Sequence, residues 1–175
     1  IFQYLFVQGE FGLMCPILVT DTSALLIERY ASEEVKAKFL PGMHSQDMTK
    51  ILKSAQFMTE KTGGSDVSNI ELEARWEDGE WRLYGEKWFY SCVDGDVALL
   101  LARPTGAAKG NKGLGLFALP RQLDDGSRNK YRIVRLKEKL GTKSMASGEI
   151  IFNGAVAYPL GEVGNDINNG LKLMM

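Results

Sequence analysis

Ile70-Glu71-Leu72-Glu73-Ala74-Arg75-Trp76-Glu77-Asp78-Gly79-Glu80-Trp81-Arg82-Leu83 is the stretch on which the fold turns. Ile70, Leu72, Ala74 and Trp76 alternate with Glu71, Glu73, Arg75 and Glu77, the two-residue period of a strand with one buried and one wet face. Asp78-Gly79 is a strong hairpin signal, because both residue types tolerate positive φ. The return strand runs from Trp81 through Leu83 toward Trp88. Downstream, Val97–Ala102, Leu114–Leu119, Tyr131–Leu136 and Ile150–Ala157 read as further strands, with Gly, Asn and Asp in the gaps. Thr105–Lys112 is small, polar and glycine-containing, and reads as an exposed loop. Short strands at hairpin spacing predict a small barrel or sandwich rather than a parallel sheet.

Upstream of Ile51 the period is helical. Thr20-Asp21-Thr22-Ser23 offers capping oxygens ahead of Ala24, Leu25, Leu26, Ile27 and Tyr30. Ser32 caps a second helix, with Glu33 and Glu34 in its first turn, where the helix dipole favours acids. Val35, Phe39 and Leu40 form its apolar stripe and Pro41-Gly42 ends it. Residues 43–50 are polar, and the main boundary falls there. The fold class expected is therefore α+β: N-terminal helices followed by a mostly antiparallel, barrel-like β domain.

Composition narrows the function classes. With 45% hydrophobic and 25% charged residues among 175, the chain can bury a real core, which excludes disorder. A net charge of -1 lacks the basic excess of a nucleic-acid groove, so no nucleic-acid partner is expected of this chain. The local run of Arg132, Arg135, Lys137, Lys139 and Lys143 reads as a solvated face near a turn. Cys15 and Cys92 lack metal-ligand spacing and His44 is the only histidine, so neither a metal site nor a histidine-based triad is expected. No stretch reads as a membrane span or a signal peptide, and no membrane partner is expected. The opening without methionine and the helix-like ending Gly170-Leu171-Lys172-Leu173-Met174-Met175 predict a piece of a longer protein.

Two runs carry chemistry. In Gln56-Phe57-Met58-Thr59-Glu60-Lys61-Thr62-Gly63-Gly64-Ser65-Asp66-Val67 a strand enters a loop. Adjacent glycines allow close backbone approach and unusual dihedrals, and successive N–H groups in such a turn can cradle an anion. Ser65 and Thr59 add hydroxyls. The glycines alone suit equally a turn that binds nothing. In Gly85-Glu86-Lys87-Trp88-Phe89-Tyr90-Ser91, Phe89 and Ser91 share one face of a strand, pairing a flat apolar ring with a hydroxyl. That suits a planar heteroaromatic ligand, although an aromatic core stripe has the same composition.

Together these runs resemble the signature of the acyl-CoA dehydrogenase family, a Thr-Glu-Pro-Gly-Ala-Gly-Ser-Asp loop followed by a Gly-x-Lys-x-Trp-Ile-Thr strand. A third match is Arg135-Leu136-Lys137-Glu138-Lys139-Leu140-Gly141-Thr142-Lys143-Ser144, similar to the family's Lys-x-x-Leu-Gly-x-Arg-x-Ser turn, with the strand Glu149-Ile150-Ile151-Phe152 after it. The resemblance runs from about Cys15 to the end. Lys61 stands for the usual proline, Trp88 precedes the family's tryptophan position (here Phe89), and Ser91 replaces a threonine; with Cys15-Pro16, this is most similar to the branch containing the bacterial alkylation-response protein.

The resemblance implies a partial N-terminal helical domain at 1–50, a flavin-binding middle β domain at 51–160 and the start of a C-terminal helical domain at 161–175. It implies FAD as cofactor, with Thr59 bonding the flavin ring, Gly63, Gly64 and Ser65 holding the pyrophosphate, and Phe89, Tyr90 and Ser91 beside the isoalloxazine. Gln56, Phe57 and Met58 would form the pocket wall, and Ser65 would also line the site of an acyl-CoA or fatty acyl ligand. The family reaction is α,β-dehydrogenation of an acyl-CoA thioester. Its catalytic base comes from the C-terminal domain, so no catalytic residue is expected here, and Glu60 and Asp66 take structural roles. A non-catalytic flavoprotein of the same fold, acting in lipid binding or stress regulation, is the competing reading. The full-length protein is expected to be a homodimer or homotetramer, mitochondrial in a eukaryote and cytoplasmic in a bacterium.

Overall fold

The computed structural model describes residues 1–161 and 170–174. Three helices lead: α1 (Phe2–Gly9), α2 (Phe11–Tyr30) and α3 (Glu33–Met43). Glu10 caps α2, its carboxylate accepting from the N–H groups of Gly12 and Leu13. This corrects the expected cap at Thr20–Ser23, which lies inside α2. Those hydroxyls serve the helix's docking: Thr20 Oγ1 donates to Pro16 O at 2.7 Å and accepts from Ser54 N at 2.9 Å. Ser32 caps α3 as expected, accepting from Val35 N. Pro41 and Gly42 do not end α3; both sit in its last turn, and His44 is the C-cap.

The 20-residue α2 also corrects the expectation of no membrane-length segment, since by length and composition alone it could cross a membrane. Asp21, Glu28 and Arg29 hide its apolar length in the sequence. In the fold it packs on α3 and on the sheet, burying Met14, Ala24, Leu26 and Ile27.

Among the described residues seven strands follow: β1 (Ser54–Phe57), β2 (Glu73–Glu77), β3 (Glu80–Ser91), β4 (Val97–Pro104), β5 (Gly115–Pro120), β6 (Tyr131–Leu136) and β7 (Ser147–Leu160). Strands β4-β2-β3-β7-β5 run in that order, and the additional β4–β5 pairing closes them into a ring. β1 adds to β4 and β6 to β7. Pairing is antiparallel except for β1–β4 and β2–β4, which are parallel. The α+β, barrel-like expectation therefore holds, with a mixed rather than uniform ladder.

The hairpin turn forms at Asp78-Gly79, both at positive φ (53° and 84°), and sets the register Trp76↔Trp81. β2 starts later than the alternation suggests, at Glu73, although Ile70 and Leu72 are buried. β4 and β5 are buried almost throughout, the continuous apolar pattern of strands covered on both faces. The core joins Leu99, Leu101, Leu116 and Phe117 of the ring to Ile27, Val35 and Phe39 of the helices. A last helix, α4 (Gly170–Met174), packs on β5, with Gly170 N donating to Leu114 O at 2.7 Å. The expected start of a further domain at 161–175 falls partly on 162–169 and 175, outside the described residues.

Candidate functional site

The loop after β1 is locked to β3 at three successive residues. Trp88 N donates to Thr59 O at 2.9 Å. Lys87 Nζ donates to Met58 O at 3.0 Å and to Glu60 Oε1 at 2.6 Å. Glu60 also accepts from Glu71 N at 2.6 Å and Leu72 N at 3.2 Å. The Lys87 and Glu60 side chains are 0% and 4% exposed, so this is an ion pair sealed from water. Burial pushes the Lys87 ammonium down to about 8, against the opposing charge and hydrogen bond of Glu60.

Beyond Glu60 the chain turns on itself, with Glu60 N donating to Gly63 O and Gly63 N to Glu60 O. Gly63 and Gly64 do not take positive φ, which corrects the expectation of unusual dihedrals. Glycine is needed for space instead. A Cβ on Gly63 would lie 2.9 Å from Asp66 O, and one on Gly64 would lie 3.0 Å from Thr59 Cγ2 and 3.1 Å from its Oγ1. Among the described residues, the N–H groups of Gly64, Ser65 and Asp66 have no protein acceptor. Gly64 and Ser65 are exposed. The Asp66 carboxylate accepts from Ser68 N at 2.9 Å and from Asn69 Nδ2 at 3.2 Å, and the Ser68 hydrogen bonds hold it below its ordinary value. The loop thus presents unpaired N–H donors and a hydroxyl, and its two acids, Glu60 and Asp66, both have structural partners.

On β3, a register shift against β7 between Lys87 and Tyr90 sets which rings face in. Tyr90 is 1% exposed and its ring lies 3.9 Å from that of Phe57, itself buried and stacked on Phe152. The Phe57 and Tyr90 side chains are therefore packed in the core rather than presented at the surface of the site. Phe89 points the other way and is 46% exposed. Gln56 is committed elsewhere, its Nε2 donating to Thr22 Oγ1 at 3.0 Å and Ser23 Oγ at 3.1 Å of α2. Met58 is half-buried against the core. Ser91 is half-buried, with its Oγ 3.4 Å from that of Ser147.

The third motif folds onto the second. Lys137 Nζ lies 3.3 Å from the Trp88 ring centre and 4.8 Å from that of Phe89. Glu149 holds it there at 2.6 Å and binds Arg135 Nε at 2.7 Å. Lys139 Nζ donates to Ser147 Oγ at 3.1 Å and to the Met145 carbonyl. Beside them opens a cavity of about 680 Å³ bounded by residues 136–140 and 143–147. Thr59 thus touches Gly64 and is fastened to β3 through Trp88, while Lys137 reaches Phe89 and Lys139 reaches Ser147, the neighbour of Ser91. Sequence reasoning gave Lys87 and Ser147 no role of their own and read Lys137 and Lys139 as a solvated face, whereas Lys137 is largely buried against Glu149 and Trp88. Lys87 carried a signal: it stands where the inward alternation after Leu83 calls for an apolar side chain, so its charge needed a buried acid.

The family model described as "Acyl-CoA dehydrogenase, middle domain" matches residues 55–155. The putative acyl-CoA dehydrogenase AidB of Escherichia coli is 40% identical over 184 residues, covering 95% of this chain and 31% of its own. Acyl-CoA dehydrogenase ACDH-11 of Caenorhabditis elegans, solved in complex with C11-CoA, superimposes with a TM-score of 0.81 at 37% identity, over 91% of this chain and 28% of its own. A glutaryl-CoA dehydrogenase from Mycobacterium smegmatis, solved with FADH2, shares the fold with a TM-score of 0.73 at 22% identity, over 95% of this chain and 40% of its own. The chain spans less than a third of the length of the first two.

Proposed function

The chain belongs to the acyl-CoA dehydrogenase family, and on that premise we propose that it is the FAD-holding part of a flavoprotein acting on acyl-CoA thioesters. One observation carries the proposal: a donor-rich loop and an exposed aromatic ring are fastened together by the Trp88–Thr59 and Lys87–Glu60 contacts. The residues fit the cofactor. The N–H groups of Gly64, Ser65 and Asp66 and the Ser65 hydroxyl would receive the pyrophosphate. A Cβ at Gly64 would crowd the Thr59 hydroxyl, which would meet the flavin ring. Phe89 would lie along the isoalloxazine, and Ser91 would reach its edge. Tyr90, Phe57 and Gln56 would contribute through backbone and packing.

FAD supplies the hydride-accepting chemistry when bound; the protein orients it and tunes its ring. The bound C11-CoA of ACDH-11 and the bound FADH2 of the glutaryl-CoA dehydrogenase support an acyl-CoA and FAD reading. Neither Glu60, paired to Lys87, nor Asp66, capping its turn, is placed to abstract a proton. We therefore assign both acids structural roles. Residues 1–50 act as part of a helical domain and 51–160 as the flavin-binding domain.

Titration of the chain with FAD, followed by flavin absorbance and fluorescence, tests this. Ser65→Ala should weaken binding by roughly 10- to 100-fold, the loss of one hydrogen bond to a charged group. Equal binding by the two proteins would remove the Ser65 hydroxyl from the pyrophosphate site.

A further inference from the structure

We propose that Lys87 is a positioning residue for the flavin: by holding the residues on both sides of Thr59, it aims the Thr59 hydroxyl at the ring. The inference rests on the flavin reading above and adds a residue that touches no ligand.

The geometry is a clamp. Lys87 Nζ binds Met58 O before Thr59 and the Glu60 carboxylate after it, while Trp88 N binds Thr59 O itself. Two successive residues of β3 therefore fasten three successive residues of the loop. From the far side, Gly64 packs within contact of the Thr59 side chain. A hydroxyl held this way needs little further ordering when a ligand arrives. The same Glu60 carboxylate takes Glu71 N and Leu72 N, so the clamp is anchored to the chain leading into β2.

Stability does not account for the pair. A buried ion pair is often no more stabilising than apolar residues of similar volume, since desolvation offsets the attraction. What charge and hydrogen bonding add is direction. An ammonium with two oxygen partners at 3.0 and 2.6 Å has one place to sit, and an apolar chain would let the loop slide along β3. The lowered Lys87 value agrees with a site closed to water.

The test compares three proteins by FAD titration and by the flavin absorption band at saturation: the unaltered chain, the double variant Glu60→Gln/Lys87→Met, and Lys87→Arg. The double variant removes the pair without stranding a buried charge. It should melt cooperatively, bind FAD about tenfold more weakly, as loss of one oriented hydrogen bond implies, and show a band shifted toward that of free FAD. A purely structural Lys87 could lower affinity or melting temperature but would leave the saturated band unchanged. If the double variant does not fold, Lys87→Arg decides, because it keeps the charge but replaces the ammonium with a planar fork; the same band shift is expected. A saturated band identical to that of the unaltered chain overturns the inference alone. Failure of the unaltered chain to bind FAD overturns the flavin reading, and this inference with it.

Discussion

At position 64 a single methyl group is enough to disturb the candidate site. A Cβ there would stand 3.0–3.1 Å from the Thr59 methyl and hydroxyl, closer than ordinary contact, with no backbone strain in the way. Gly64→Ala should therefore fold with nearly unchanged stability and turn the Thr59 side chain aside. We expect FAD affinity to fall by about 3- to 10-fold, the scale of one partly lost hydrogen bond, measured by fluorescence titration beside a thermal melt. A melt lowered in step with affinity would mean that the loop, and not the hydroxyl, had moved. The same scale shows where the sequence could be read and where it could not. The glycine pair declared a close backbone approach by its type and spacing. Tyr90 did not declare its inward turn, because alternation along β3 breaks at a register shift that is set by pairing with β7.

Among the elements, α2 is the one whose role changes most on folding. Its hydroxyl cluster reads locally as a cap, because Thr and Ser favour helix starts. Inside a helix those groups bond back to the preceding turn, as Thr20 and Thr22 do, and here they also face β1. Ser54 is fully buried and its N–H has Thr20 Oγ1 as acceptor. Thr20→Val keeps the shape and leaves that N–H without a partner, so it should destabilise the fold by about 1–3 kcal/mol. Chemical denaturation measures this directly; a loss below about 0.5 kcal/mol would show that another acceptor replaces the hydroxyl. Since β1 leads straight into Thr59, loosening α2 should also reach the loop.

Across the whole molecule, the third motif is tied to the barrel by Glu149, which binds both Arg135 and Lys137. Burial pushes its carboxyl up, but hydrogen bonds from Lys137 and Arg135, with their charges, outweigh that and hold it below the ordinary value. The sign follows by linkage. A carboxyl depressed in the folded state contributes stability above its unfolded value near 4.3, lost as pH falls through the folded value. Glu149→Gln should therefore lower the denaturation midpoint at pH 7 and lose less than the unaltered chain on acidification to about pH 3. Parallel acid profiles for the two proteins would place the acid dependence elsewhere.

What the sequence determined by itself was carried by near neighbours: the two-residue period of the β domain, the Asp78-Gly79 turn, the Ser32 cap, and the spacing of three motifs that named the family. These are local, because strand alternation, positive φ and capping each depend on a few adjacent residues. Only the tertiary structure decided the closure of the ring through β4 and β5, the parallel pairing of β1 on β4, and the inward turn of Phe57 and Tyr90. It also decided that Lys87 meets Glu60 across 27 positions of chain. Such contacts depend on which distant segment arrives as neighbour, and a residue's own flanks hold no record of that. A buried lysine announces only that an acid must be near; the fold selects which one.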